Sequence, residues 1–146
     1  MDFKNAKELL DLCAKEHLSI SEVMKTREIQ LAETTEDIVD TKMDRVFSIM
    51  KKAAFSPLEN PVKSMGGLIG GESQKLNRHL LSGNGMCGEL LEKAITYAMA
   101  TLETNASMGL IVASPTAGSA VIVPGLLLAL QKVFDLTDDQ IKQVLF

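Results

Sequence analysis

Residues Asn105 to Gly125 read NASMGLIVASPTAGSAVIVPG, an apolar run interrupted by one polar knot, Ser114-Pro115-Thr116-Ala117-Gly118-Ser119. Between Ala94 and Gln131 the only formally charged side chain is Glu103, so this region reads as the interior of the fold. Small hydroxylated residues in such an interior are costly unless partners satisfy them. The economical reading is a site: a turn opening a helix near Ser119, with backbone N–H groups and hydroxyls aimed at a small anion such as a carboxylate. Thr116 and Ser119 would supply hydroxyls and Gly118 a close backbone approach. The bland alternative is a plain helix cap, with Ser119 or Thr116 serving only the helix.

The rest of the chain reads as helical. With 146 residues it has enough chain for a single hydrophobic core. It has no Trp and little Phe or Tyr, while Met, Ala, Leu and Ile are plentiful, a mix that suits packed helices better than sheets. Residues 5–17 carry Leu9, Leu10 and Cys13 at helical spacing. Ser19 with Glu22 forms a capping box for a second helix. Thr34-Thr35 opens a third with a Val39, Met43, Val46, Phe47, Met50 and Ala54 stripe, and Ser56-Pro57 should end it. Residues 56–72, rich in Pro and Gly, read as an ordered loop. A helix over Ser73–Leu81, a turn at Ser82–Gly85 and a long helix from Cys87 to Leu102 follow. Ala120 to Leu130 reads as a buried core helix, kinked or offset by Pro124 and too short for the roughly 20 residues of a membrane span. Thr137 with Gln140 caps a last helix. The expectation is an all-α, compact helical domain of about six to seven helices with a glycine-rich loop and a buried polar turn. Charged residues concentrate before position 60, so 1–56 reads as an amphipathic helical layer over a core and site loops in 57–146.

Charge and motifs exclude several functions. A net charge of −4 and no basic stripe give no reason to expect nucleic acid. The N-terminus is charged and amphipathic, unlike a signal peptide, which predicts a reducing cytoplasm and free thiols at Cys13 and Cys87. Gly83-x-Gly85-x-x-Gly88 matches a dinucleotide fingerprint by spelling, but a charged helical segment precedes it instead of a buried strand. Gly66-Gly67-x-x-Gly70-Gly71 lacks a P-loop's lysine and reads either as a linker or as a loop pressed against backbone or ligand. Glu36, Asp37, Asp40 and Asp44 read as solvated surface balanced by Lys42 and Arg45. His17 and His79 lack ligand partners at metal spacing, and no nucleophile with its base is arranged.

NASMGLIVASPTAGSAVIVPG, preceded by Glu103, resembles the hallmark segment of the iron–sulfur L-serine dehydratases, or L-serine ammonia-lyases. The resemblance runs from KELLDLCAKEHLSISEVM through GGLIGGESQKL to the last helix. Its particular match is the N-terminal half of the α-subunit in the two-chain bacterial form. The resemblance implies an all-helical catalytic domain that uses no pyridoxal phosphate. A [4Fe–4S] cluster would act as Lewis acid on the hydroxyl of L-serine while a protein base takes the α-proton, releasing water and then pyruvate and ammonia. It further implies that Thr116, Gly118 and Ser119 help hold the serine carboxylate, that Ser64, Gly67, Gly70 and Gly71 form a facing loop, and that Asn105 lines the pocket. It assigns no base among them, and Glu72 stands where an Asp is common. The family's cluster cysteines would lie downstream of Phe146, and a partner β-subunit would bring a further motif. The expectation is therefore a chain truncated at 146, holding no cluster ligands and inactive alone. The exposed Leu145 and Phe146 leave room for self-association as a homo-oligomer. Two other readings remain: a related cluster-dependent enzyme that releases sulfide from cysteine, and a non-catalytic helical amino-acid-binding module.

Overall fold

The computed structural model describes residues 2–146. They form seven helices and, among the described residues, no strand: α1 (Ala6–Glu16), α2 (Ile20–Leu31), α3 (Glu36–Glu59), α4 (Glu72–Leu81), α5 (Glu89–Ala106), α6 (Ser119–Phe134) and α7 (Asp138–Leu145). The all-α expectation holds. The chain divides into two units, one of residues up to Arg45 with Asp138–Phe146, the other Val46–Thr137.

In the first unit, local sequence sets the helix ends. The Asn5 side chain accepts from the Glu8 N–H at 3.0 Å, and His17 closes α1 in the left-handed region at φ 55°. Ser19 and Glu22 make the expected capping box on α2. Hydrogen bonds from the Ser19 hydroxyl and N–H hold the Glu22 carboxyl below its ordinary value. Val23, Val39 and Ile141 are buried. The acidic face of α3 is solvated, as read, but its balancing cations differ. Lys25 of α2 reaches Glu36 at 2.8 Å and Asp40 at 2.7 Å, and Lys142 of α7 reaches Asp44 at 2.7 Å. The cations that meet these carboxylates thus come from α2 and α7. Such exposed pairs contribute little to stability.

The second unit is built on α5. Phe47, Met50, Ala53 and Ala54 of α3, Ala100 of α5, and Leu128 and Ala129 of α6 are buried. Phe55 meets Tyr97 edge-on, ring centroids 5.1 Å apart. Gly125 allows the backbones of α5 and α6 to touch: a Cβ there would lie 2.8 Å from the Ala94 carbonyl oxygen and 2.8 Å from the Ala98 nitrogen.

Three expectations need correction. Ser56-Pro57 does not end α3, which continues to Glu59 with Pro57 buried inside it. Proline deprives the carbonyl four residues back of its donor, and here that carbonyl, Ala53 O, accepts from the Thr104 hydroxyl of α5 at 2.8 Å. A tertiary hydrogen bond thus replaces the one that the proline removes and offsets that part of its cost. Cys87 lies outside α5, exposed in the preceding turn. Finally, α6 is not buried all round. Ala120, Pro124, Gly125, Leu127, Leu128 and Ala129 are buried, but Ile122 is 61% exposed and Leu126 44%. Together with the exposed Leu91, Ile95 and Leu102 of α5, they leave an apolar face. One helix neighbour covers one stripe of a helix, and an apolar composition cannot specify how many neighbours there are. No helix among the described residues is long and apolar enough to cross a membrane.

Candidate functional site

All eight candidate residues lie in the second unit. The glycine loop between α3 and α4 is closed on Ser64. Its N–H donates to Ile69 O at 2.7 Å, its carbonyl accepts from Gly67 N at 2.9 Å, and its Oγ accepts from Ile69 N at 3.1 Å. Gly70 adopts φ 147°, and a Cβ there would sit 2.1 Å from Val62 O, so only glycine fits. The sequence left open whether this loop presses on backbone or ligand, and at Gly70 it presses on backbone. The Gly70 N–H donates to the Glu72 carboxylate at 2.6 Å. That bond, first among several, holds the Glu72 carboxyl below its ordinary value.

Glu72 therefore carries a testable pH dependence. A carboxyl depressed on folding contributes stability that is present above its unfolded value and is lost as pH falls through the folded one. Acidifying below the ordinary carboxylate range should release the Gly70 amide. Amide exchange at Gly70, corrected for its intrinsic pH dependence, should lose protection there and keep it at neutral pH. Protection unchanged down to pH 2 would show that Glu72 does not hold the loop.

Gly71 caps α4 with φ 92° and no side chain to offer. A carboxylate from another helix takes over. Glu103 of α5, 2% exposed, accepts from Ser73 N at 2.7 Å and from Ser73 Oγ at 2.9 Å. Two residues later Asn105 lies exposed in the last turn of α5. Glu103 is absent from the site residues read from the sequence. Its signal was there, a lone charge in an apolar stretch, but the partner, 30 positions away, was not visible.

The polar knot is not the buried turn expected: Pro115 to Gly118 are exposed, as suits the open amides of a helix start, and the knot resolves into a cap. Thr116 Oγ1 accepts from Ser119 N at 3.1 Å while Ser119 Oγ accepts from Thr116 N at 3.0 Å, a reciprocal capping box. Ser119 Oγ donates to Thr116 O at 2.8 Å, and the two hydroxyls are 3.0 Å apart. Ala120 N donates to Thr116 O at 3.1 Å, the first helical bond. Both hydroxyls are therefore committed to the helix start. What the turn still offers outward is the amides of Ala117 and Gly118, on exposed residues and without an acceptor among the described residues. No hydrogen bond among the described residues joins this turn to the glycine loop or to Asn105.

Two hollows lie elsewhere. One of about 610 Å³ is in the first unit among Lys25, Glu36, Asp40, Asp44, Lys142 and Phe146. Another, of about 420 Å³, lies in the second unit beside Gly85, Glu92 and Tyr97. None of the eight candidates lines either. In the first hollow each lysine is shared by two carboxylates, Lys25 by Glu36 and Asp40 and Lys142 by Asp44 and Asp139, so its lining keeps a negative balance. Among the described residues no three side chains of the metal-binding types converge. Cys13 is half-buried in the first unit and Cys87 exposed in the second. Four-iron clusters are held by several thiolates, so the donors present do not fit one.

Comparison with known proteins supplies the remaining observation. Residues 15–146 match the family described as serine dehydratase alpha chain. A probable L-serine dehydratase alpha chain of Bacillus subtilis is 40% identical over 144 residues, covering 99% of this chain and 48% of that protein. The L-serine dehydratase alpha chain of Peptoniphilus asaccharolyticus is 36% identical over 124 residues, 85% of this chain and 42% of that protein. An L-serine dehydratase of Helicobacter pylori is 32% identical over 133 residues, 87% of this chain and 28% of that protein. The chain thus spans less than half the length of these relatives. No solved structure matches it.

Proposed function

The chain belongs to the serine dehydratase alpha chain family, and on that premise we propose that it supplies the substrate-carboxylate side of an L-serine ammonia-lyase. The observation that carries the reading is the start of α6. Its first turn is fixed by the Thr116–Ser119 capping box, and two amides, Ala117 and Gly118, are left open at the positive end of the helix dipole. A carboxylate placed there accepts both N–H groups without any rearrangement, because the hydroxyls have already ordered the turn. Thr116 and Ser119 then act by shaping the turn more than by touching the substrate. Ser64, Gly67, Gly70 and Gly71 form a second wall and Asn105 a third. In this reading, holding the carboxylate orients the Cα–H bond toward a base and the hydroxyl toward its acceptor.

The [4Fe–4S] cluster that the family resemblance implies would ease departure of hydroxide. Its cysteine ligands belong to polypeptide outside residues 1–146, and no pyridoxal phosphate is needed. A β-subunit completes the enzyme, which works in the cytoplasm and could form a homo-oligomer. The test is an anaerobic assay of the complete enzyme, alpha and beta parts together, for serine-dependent pyruvate, with the 146-residue chain assayed beside it. Pyruvate from the complete enzyme, and none from the chain alone, supports the proposal. A complete enzyme that is silent on serine would sink it, and stoichiometric, iron-independent binding of an amino acid by the chain would favour a binding module instead.

A further inference from the structure

We infer that Glu103 is a positioning residue, whose reach from α5 sets the distance between the glycine loop and Asn105. The inference rests on the serine-binding reading for its functional consequence. Its structural part stands on geometry.

The first amides of a helix are ordinarily satisfied by a side chain at its own N-cap, which costs little. In α4 the cap is Gly71, which has no side chain to give. The acceptor comes instead from a carboxylate buried to 2% exposure on another helix, an arrangement that carries a desolvation cost. Both oxygens are used, one on the Ser73 N–H at 2.7 Å and one on the Ser73 hydroxyl at 2.9 Å, and Ser73 is itself fully buried. A local cap would leave α4 and its loop free to shift relative to α5, whereas this one couples them. The coupling sits at a functional junction. The loop's last glycines, Gly70 and Gly71, lie three and two residues before Ser73, and Asn105 lies two residues after Glu103. The neighbouring residue Thr104 anchors α5 to the Ala53 carbonyl of α3 at 2.8 Å. Glu103 therefore joins the loop to an α5 terminus that is already fixed.

Two conservative variants of the complete enzyme separate reach from charge. Glu103→Asp keeps the charge and loses one methylene of reach. Glu103→Gln keeps the reach, and its carbonyl still accepts from Ser73 N. Loss of reach to Ser73 in the aspartate variant should raise KM for serine about tenfold and speed amide exchange across residues 64–71 by a similar factor, with kcat changed less. The glutamine variant should stay within roughly threefold of wild type on both. Unchanged KM and loop exchange in the aspartate variant would overturn the inference. So would a glutamine variant as impaired as the aspartate one, which would assign Glu103 a role in charge. A wild-type enzyme inactive on serine rejects the substrate reading instead, and the exchange rates alone then decide whether Glu103 holds the loop.

Discussion

Gly125→Val should melt roughly 6–12 °C below the wild-type chain, the shift that about 3 kcal/mol produces in a chain of this size. The expectation follows from a competition of two effects. Glycine inside a helix costs about 1 kcal/mol relative to alanine, so any side chain at position 125 begins with a local advantage. Against that stands the contact with α5. A Cβ at Gly125 would lie 2.8 Å from Ala94 O, 2.8 Å from Ala98 N and 2.9 Å from Ala98 Cβ. Two of these are backbone atoms that no rotamer change can move, so α5 and α6 must separate. Separation loosens Leu128 and Ala129, both fully buried. Overpacking of a tight core typically costs about 1–3 kcal/mol, occasionally more, and valine adds two methyl groups beyond the Cβ. Packing therefore wins over propensity. Thermal unfolding followed by far-UV circular dichroism measures the shift. A valine variant melting within 2 °C of wild type would mean that the two helices do not touch here.

The same competition explains what the sequence could and could not reveal. The α2 cap was legible because Ser19 and Glu22 are three residues apart and their bond is local. The end of α3 was not, because the carbonyl that Pro57 strands is satisfied by Thr104, 51 positions from Ala53. The apolar run of α6 correctly announced a helix. How much of it is covered depends on neighbours, and Ile122 and Leu126 remain exposed. At the site, the polar knot stood out against its apolar surroundings. Its hydroxyl spacing fits both a ligand and a cap, and only coordinates show that the cap takes them. Glu103 stood out as a charge, yet its partner Ser73 could not be chosen from one dimension.

Gly118 offers the sharpest separation of folding from function. Its backbone is right-handed, φ −64° and ψ −46°, and the nearest atom to a Cβ built there is Thr116 Oγ1 at 3.9 Å. Neither conformation nor packing within the chain demands glycine, in contrast to Gly70 and Gly125. Gly118→Val should therefore fold as stably as wild type, because a side chain restricts the unfolded state at a compatible position and gains up to about 1 kcal/mol. If the amides of Ala117 and Gly118 hold the serine carboxylate, the added methyls occupy the approach to those donors. Charge-assisted bonds of this kind are worth roughly 1.5–3 kcal/mol each, so KM for serine in the complete enzyme should rise about a hundredfold. The expected pair of results is an unchanged or slightly higher melting temperature with serine binding nearly lost. Unaltered serine kinetics in a folded Gly118→Val enzyme would place the carboxylate elsewhere, since nothing in the chain itself would then account for a glycine at the mouth of this helix.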